Sequence, residues 1–118
     1  MRRTFLRGKI HHAVVTESSL EYEGSLGVDE TPLKAVDMAP YEKVSVFNTT
    51  NGARFSTYLI EEKAGSGRIA IYGAAAHKAG RGDCLIIVAY VQLEDREIAG
   101  FKPKIIVLDG ENRIKTVK

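Results

Sequence analysis

Along most of this chain, apolar residues either alternate with polar ones or run together in short blocks, and neither pattern has the 3.6-residue period of a helix. Thr4 to Val15 mixes β-branched and apolar residues and reads as a long strand interrupted at Gly8. Lys43 to Asn48 alternates, with Val44, Val46 and Asn48 on one face and Ser45 and Phe47 on the other. Asn51-Gly52 then predicts a tight hairpin, because both residues accept positive φ, with Ala53 to Glu61 as the return strand. Lys63 to Gly67 turns the chain into Arg68 to Tyr72, where Ile69 and Ile71 alternate with Ala70. Leu85 to Val91 is continuously apolar, the pattern of a strand buried on both faces. Lys104 to Leu108 and Arg113 to Val117, joined through Asp109-Gly110-Glu111-Asn112, supply two more strands. Helix is confined to a segment N-capped by Asp29, with Pro32 in its first turn and its end near Met38-Ala39-Pro40, and to a short turn over Ala74 to Ala79. About seven strands with short inserted helices predict a mainly β, barrel-like fold and exclude bundles and doubly wound sheets, without choosing a barrel topology.

Composition narrows the function classes. The 118 residues, 44% apolar and 27% charged, suit one globular domain, and no repeat or linker is visible. The longest apolar run is too short to cross a bilayer, and no secretory h-region follows Met1-Arg2-Arg3, so a cytoplasmic protein without a membrane partner is expected. A single cysteine, Cys84, permits neither an intramolecular disulfide nor a cysteine zinc site, and reads as an inert core thiol. Lys and Arg number 17 against 15 Asp and Glu, a net charge of +2. That balance, with five Tyr and four Phe that form no basic-aromatic ladder, argues against a nucleic-acid partner. Arg2, Arg3, Arg7 and Lys9 precede the first acid, Glu17, and give the N-terminal stretch a local positive field, in which Arg2 and Arg3 read as cations guarding a strand edge.

Common enzyme templates are absent: no phosphate-binding loop, no nucleophile elbow, no dinucleotide fingerprint, and nothing resembling a pyridoxal phosphate cup. His11 and His12 are neighbours that a regular strand sends to opposite faces, so no metal site is expected from them. On the return strand Arg54, Ser56 and Tyr58 share one face, and Phe55 and Thr57 the other. A guanidinium and a phenol on one side can line an anion pocket with a proton donor beside it. The same pattern also fits a barrel exterior facing water.

Longer strings decide more. Gly8-Lys9-Ile10-His11, Tyr22-Glu23-Gly24-Ser25, Asn51 to Tyr58, Gly73-Ala74-Ala75-Ala76-His77 and Gly82-Asp83, in this order and spacing, resemble the bacterial pyruvoyl-dependent aspartate 1-decarboxylases over essentially the whole chain. The resemblance implies a double-psi β-barrel, a homotetramer with active sites between subunits, and a proenzyme cleaving itself between Gly24 and Ser25. The products would be a β-chain, residues 1–24, and an α-chain, residues 25–118. The chain departs from the family pattern at Tyr72, where asparagine usually stands, at Glu21, where histidine is common, and at His12, where arginine is common.

The implied chemistry answers a physical need. Decarboxylating an α-amino acid leaves electrons on Cα, and no ordinary side chain is a conjugated electrophile that accepts them. In the family, the Ser25 hydroxyl attacks the Gly24 carbonyl, the resulting ester eliminates, and hydrolysis leaves a pyruvoyl group, the only cofactor implied. Gly24 suits the attack by exposing its carbonyl, Thr57 is the candidate oxyanion donor, and Tyr22 is expected to position the loop. L-aspartate would then form a Schiff base on position 25, lose CO2, take a proton from Tyr58 and leave as β-alanine, the pantothenate and coenzyme A precursor. Arg54 and Lys9 are the cations implied for its two carboxylates, and Gly73, Ala74 and Ala75 are expected to present backbone N–H groups. Processing is either autonomous or helped by an activator protein. The alternative reading is an unprocessed barrel acting as a non-catalytic binding or regulatory module.

Overall fold

Among the described residues, nine strands join in one hydrogen-bonded sheet that curls on itself. The computed structural model describes residues 1–23 and 25–118, so the expected role of Gly24 falls on a residue outside the described ones. The strands are β1 (Arg2–Val14), β2 (Glu17–Ser19), β3 (Leu26–Asp29), β4 (Lys43–Asn48), β5 (Arg54–Glu62), β6 (Ile69–Tyr72), β7 (Cys84–Glu94), β8 (Lys104–Leu108) and β9 (Ile114–Val117). Two short helices, α1 (Glu30–Ala35) and α2 (Asp95–Ile98), and a 3-10 turn, Gly73–His77, are inserted. The order across the sheet is β2-β6-β3-β5-β4-β7-β1-β8-β9. Three pairs run parallel: β1 with β8, β2 with β6 and β3 with β5. The arrangement is the expected mainly β fold, a double-psi β-barrel.

Closure depends on side chains as well as ladders. Asn112, buried in the β8–β9 turn, accepts from Val14 N–H at 2.8 Å and donates to the carbonyls of Val14 and Gly67 at 2.8 and 2.9 Å. Thr16 N–H continues the seam to the Ile69 carbonyl at 2.8 Å. Inside lies a core of Ile10, Leu26, Leu59, Ile69, Ile71, Leu85, Ile87, Ile106 and Leu108, fully buried. Burial of this kind stabilises by about 1.5–3 kcal/mol per large aliphatic side chain.

Several elements differ from the sequence expectation. Gly8 does not break β1; register slips between Leu6 and Gly8, and again between His11 and Ala13, mark bulges that bend one continuous strand. His12 sits in the second bulge at φ 70°, so simple alternation with His11 fails there. The Asn51-Gly52 connection is not a two-residue turn. Only Gly52 takes positive φ (78°), and a four-residue loop is closed by Gly52 N–H on the Asn48 carbonyl and Asn48 N–H on the Ala53 carbonyl, each 2.8 Å. The α1 helix stops at Ala35, because Asp37 enters the left-handed region (φ 56°) and Met38 N–H folds back on the Leu33 carbonyl at 2.9 Å. Cys84 is half-buried beside His12, Sγ to Nδ1 3.4 Å, and not in the core.

Candidate active site

Residue 25 is placed by the two neighbours of β3. Leu26 pairs with Leu59 in parallel and with Ile71 antiparallel, so the residue before it falls beside Tyr58 and Tyr72. Every residue of β3 is buried, which fixes that register because a slip would expose Leu26 and Val28. Ser25 is itself buried, and its hydroxyl donates to the Tyr58 carbonyl at 2.5 Å while its own carbonyl accepts from Tyr72 N–H at 2.9 Å. Both sides of its Cα are held.

Ser25 lines a cavity of about 300 Å³ together with Phe55, Ser56, Thr57, Tyr58, Ala74, Ala75 and Lys78. β5 contributes the first wall. The second comes from the chain leaving β6: Gly73 takes φ 68°, a left-handed value that favours glycine, and the following 3-10 turn swings Ala74 and Ala75 over Ser25. Tyr58 is two-fifths exposed, with its ring stacked on Tyr41 at 6.4 Å. The structure thus brings together Ser25, Thr57, Tyr58, Ala74 and Ala75 from the expected set.

The expected cations stand elsewhere. The Arg54 guanidinium lies over the Phe47 ring, 4.0 Å from its centroid, and lines no part of the cavity. Lys9 lines a separate hollow with His11, Ile105, Val107 and Lys118. There His11 Nδ1 is buried without a hydrogen-bond partner. Burial, then Lys9, His12 and Lys118, push the imidazole below its ordinary pKa and favour its neutral form. Sequence reasoning missed Lys78; only its place one residue beyond the Gly-Ala-Ala-Ala-His string hinted at it.

Tyr72 does not enter the Ser25 cavity. Its hydroxyl accepts from Arg68 Nη2 at 2.9 Å and donates to Glu62 Oε2 at 3.5 Å, and its ring meets Tyr22 edge-on, 5.8 Å between centroids. Arg68 also binds both carboxylate oxygens of Glu17, and Glu62 Oε1 at 2.8 Å. Hydrogen bonding to Tyr72 first, then to Glu17 and Glu62, holds the guanidinium even further above its usual range. Tyr22, Glu23, Glu17, Arg68 and Tyr72 line this second hollow on the approach to position 25. The departure at Tyr72 thus alters what braces the expected cleavage loop rather than the lining of the cavity.

Comparison with known proteins bears on the same residues. The family described as Aspartate decarboxylase matches residues 1–115. The chain is 52% identical to the aspartate 1-decarboxylase of Ralstonia nicotianae over 118 residues, all of this chain and 98% of that protein. It is 52% identical to the enzyme of that name from Syntrophobacter fumaroxidans over 113 residues, 96% of this chain and 91% of the relative. A relative of the same name from Acaryochloris marina is 49% identical over 97% of this chain and 87% of its own length.

Proposed function

Because this chain belongs to the aspartate decarboxylase family, we propose that it is a self-processed enzyme converting L-aspartate to β-alanine and CO2 at the cavity around residue 25. The observation that carries the assignment of the site is the placement of Ser25: buried, pinned by Tyr58 and Tyr72, and facing Thr57, Ala74 and Ala75. These residues fit a pyruvoyl group formed at position 25, since Ser56, Thr57 and Tyr58 bring hydroxyls and Ala74 and Ala75 small side chains to the same cavity of about 300 Å³. Such a group supplies a carbonyl electrophile that takes the substrate amine and accepts the electron pair released with CO2.

The chain's own residues do the rest. Ser25 Oγ turns from the Tyr58 carbonyl to attack the carbonyl of Gly24, forming an ester as the peptide C–N bond breaks. Thr57 stands on the same wall to stabilise the oxyanion. Loss of the residue 25 α-proton then expels the Gly24 carboxylate, opening the chain. Water replaces the nitrogen of residue 25, which leaves as ammonia. In turnover Tyr58, at the cavity edge, delivers the proton to Cα.

The remaining cations suit a site shared between copies. Lys9 pairs across β1 with Val88, Val88 with Ser45, and Ser45 with Ser56, a row on one sheet face. Three strand spacings put Lys9 about 14 Å from Ser56 along that face. A second copy packed on this face brings its own Lys9 or Arg54 towards the cavity, in keeping with a cytoplasmic homotetramer that makes β-alanine for pantothenate.

Intact mass of the denatured protein tests the processing. The parent chain is expected as fragments 1–24 and 25–118, the second lighter by one ammonia than its serine-started form. Ser25→Ala is expected to stay whole and to release no β-alanine from L-aspartate. A parent that remains a single chain and inactive supports the non-catalytic module instead.

A further inference from the structure

Tyr41 stands where the backbone favours a different residue. Ala39-Pro40-Tyr41-Glu42 is a tight turn closed by Glu42 N–H on the Ala39 carbonyl at 3.2 Å, with Pro40 second and Tyr41 third at φ 70°. A turn with proline second and positive φ third prefers glycine or asparagine at that third place, because the Cβ of a bulky residue crowds the backbone there. Resting on the reading above, in which Tyr58 is the proton donor, we propose that Tyr41 is a positioning residue for Tyr58: its ring packs against the Tyr58 ring and holds the phenol in the orientation that reaches Cα of the substrate.

The strained residue gains nothing from the core. Tyr41 is 79% exposed and lines no part of the Ser25 cavity, yet its ring stacks on that of Tyr58, centroids 6.4 Å apart and planes inclined by 27°. Its backbone is clamped beside the same strand. Tyr41 N–H donates to the Leu59 carbonyl at 2.7 Å, and Leu59 N–H donates to the Glu42 carbonyl at 3.0 Å. Glu42 also accepts from Ala39 N–H through Oε1 at 3.0 Å and from Arg7 through Oε2, which ties the turn to β1. A turn pinned to β5 one residue beyond Tyr58 therefore carries the Tyr41 ring to it.

The proposed chemistry gives that contact a purpose. Tyr58 is two-fifths exposed, and an exposed side chain hops between rotamers. A proton donor works only within hydrogen-bond reach of its acceptor, here Cα, whose electron pair takes the proton from Tyr58 Oη to form the new C–H bond. A wall on one side of the phenol narrows its orientations without touching the substrate. Its loss lowers kcat and leaves KM nearly unchanged.

The test compares parent, Tyr41→Asn and Tyr41→Phe proteins, with only chain shown by intact mass to be cleaved counted in the kinetics. Asparagine accepts the positive φ and removes the ring; phenylalanine keeps the ring. Tyr41→Asn is expected to lower kcat for L-aspartate about fivefold with KM within about twofold, a loss in the range an aromatic pair sets. Its Tm should nevertheless match or exceed that of the parent, which a merely structural role for the ring would not allow. Tyr41→Phe should keep kcat within about twofold of the parent. Without substrate, fluorine NMR of the same proteins labelled with fluorotyrosine follows the Tyr58 signal, identified by its loss in Tyr58→Phe. That signal is expected to move and sharpen in Tyr41→Asn and to stay in place in Tyr41→Phe. An unmoved Tyr58 signal in Tyr41→Asn, a kcat within twofold of the parent, or a rise in KM at constant kcat overturns the proposal. If the parent itself fails to consume L-aspartate, the decarboxylase reading fails instead, and the NMR comparison still decides whether Tyr41 holds Tyr58.

Discussion

Single side chains decide how the segment before position 25 is held. Tyr72 offers two separable contacts: its ring edge against Tyr22, and its hydroxyl within the Arg68, Glu62 and Glu17 network. An aromatic pair contributes about 0.5–1.5 kcal/mol beyond its buried area. If that contact orders the loop for attack by Ser25, losing the ring costs rate. Tyr72→Ala is expected to slow self-cleavage roughly fivefold, within the span that this energy sets. Tyr72→Phe, which keeps the ring, should cleave within about twofold of the parent rate. A time course of intact mass separates them; equal rates for the two variants would remove Tyr22 from the account. The Tyr72 N–H to the Ser25 carbonyl survives either change, because it belongs to the backbone.

Elements show how far the sequence could be read. Strong local patterns held: the Asp29 cap, the alternation of β4 and β5, and the apolar run inside β7. Very short elements did not. β2 and β3 have three and four residues, too few for any period, although β3 positions residue 25. α2 was missed despite a local signal, the reciprocal capping box of Glu94 and Glu97. The Asn51-Gly52 signal was sound for a connection and wrong for its type, since Asn51 uses its side chain to bond Ala53 N–H and Lys78. Asp29 does more than a cap: its carboxylate accepts from Thr31, Gly65 and Gly67 N–H at 2.8, 3.0 and 2.8 Å, tying α1 to the β5–β6 turn. Burial alone would raise its pKa, but the donors from Thr31, Gly67 and Gly65 outweigh that and leave it below the ordinary carboxylate value. A depressed folded pKa means that the ionised group stabilises above the ordinary value, and that this is lost as pH falls through the folded one. Asp29→Ala is expected to cost about 3 kcal/mol in urea unfolding at neutral pH. The gap to the parent should narrow once acid protonates the carboxylate.

At the scale of the molecule, the barrel sets apart residues that the proposed reaction would draw together. The Ser25 cavity opens beside β5 and the 3-10 turn after β6, whereas Lys9 lies three strands away in its own hollow, in a chain whose local sequence says nothing of distance across a curled sheet. A site built from one copy would have to work without Lys9; a site built from two would use both faces of a packed pair. Mixing inactive variants distinguishes these. Lys9→Ala and Tyr58→Phe, each purified after processing, are expected to be nearly inactive alone. When their subunits exchange, a site drawing Lys9 from one copy and Tyr58 from another regains both residues in roughly a quarter of random pairings. Recovery of activity near that fraction places Lys9 across a subunit boundary. No recovery, despite exchange verified by mass of the intact assembly, confines the chemistry to one barrel.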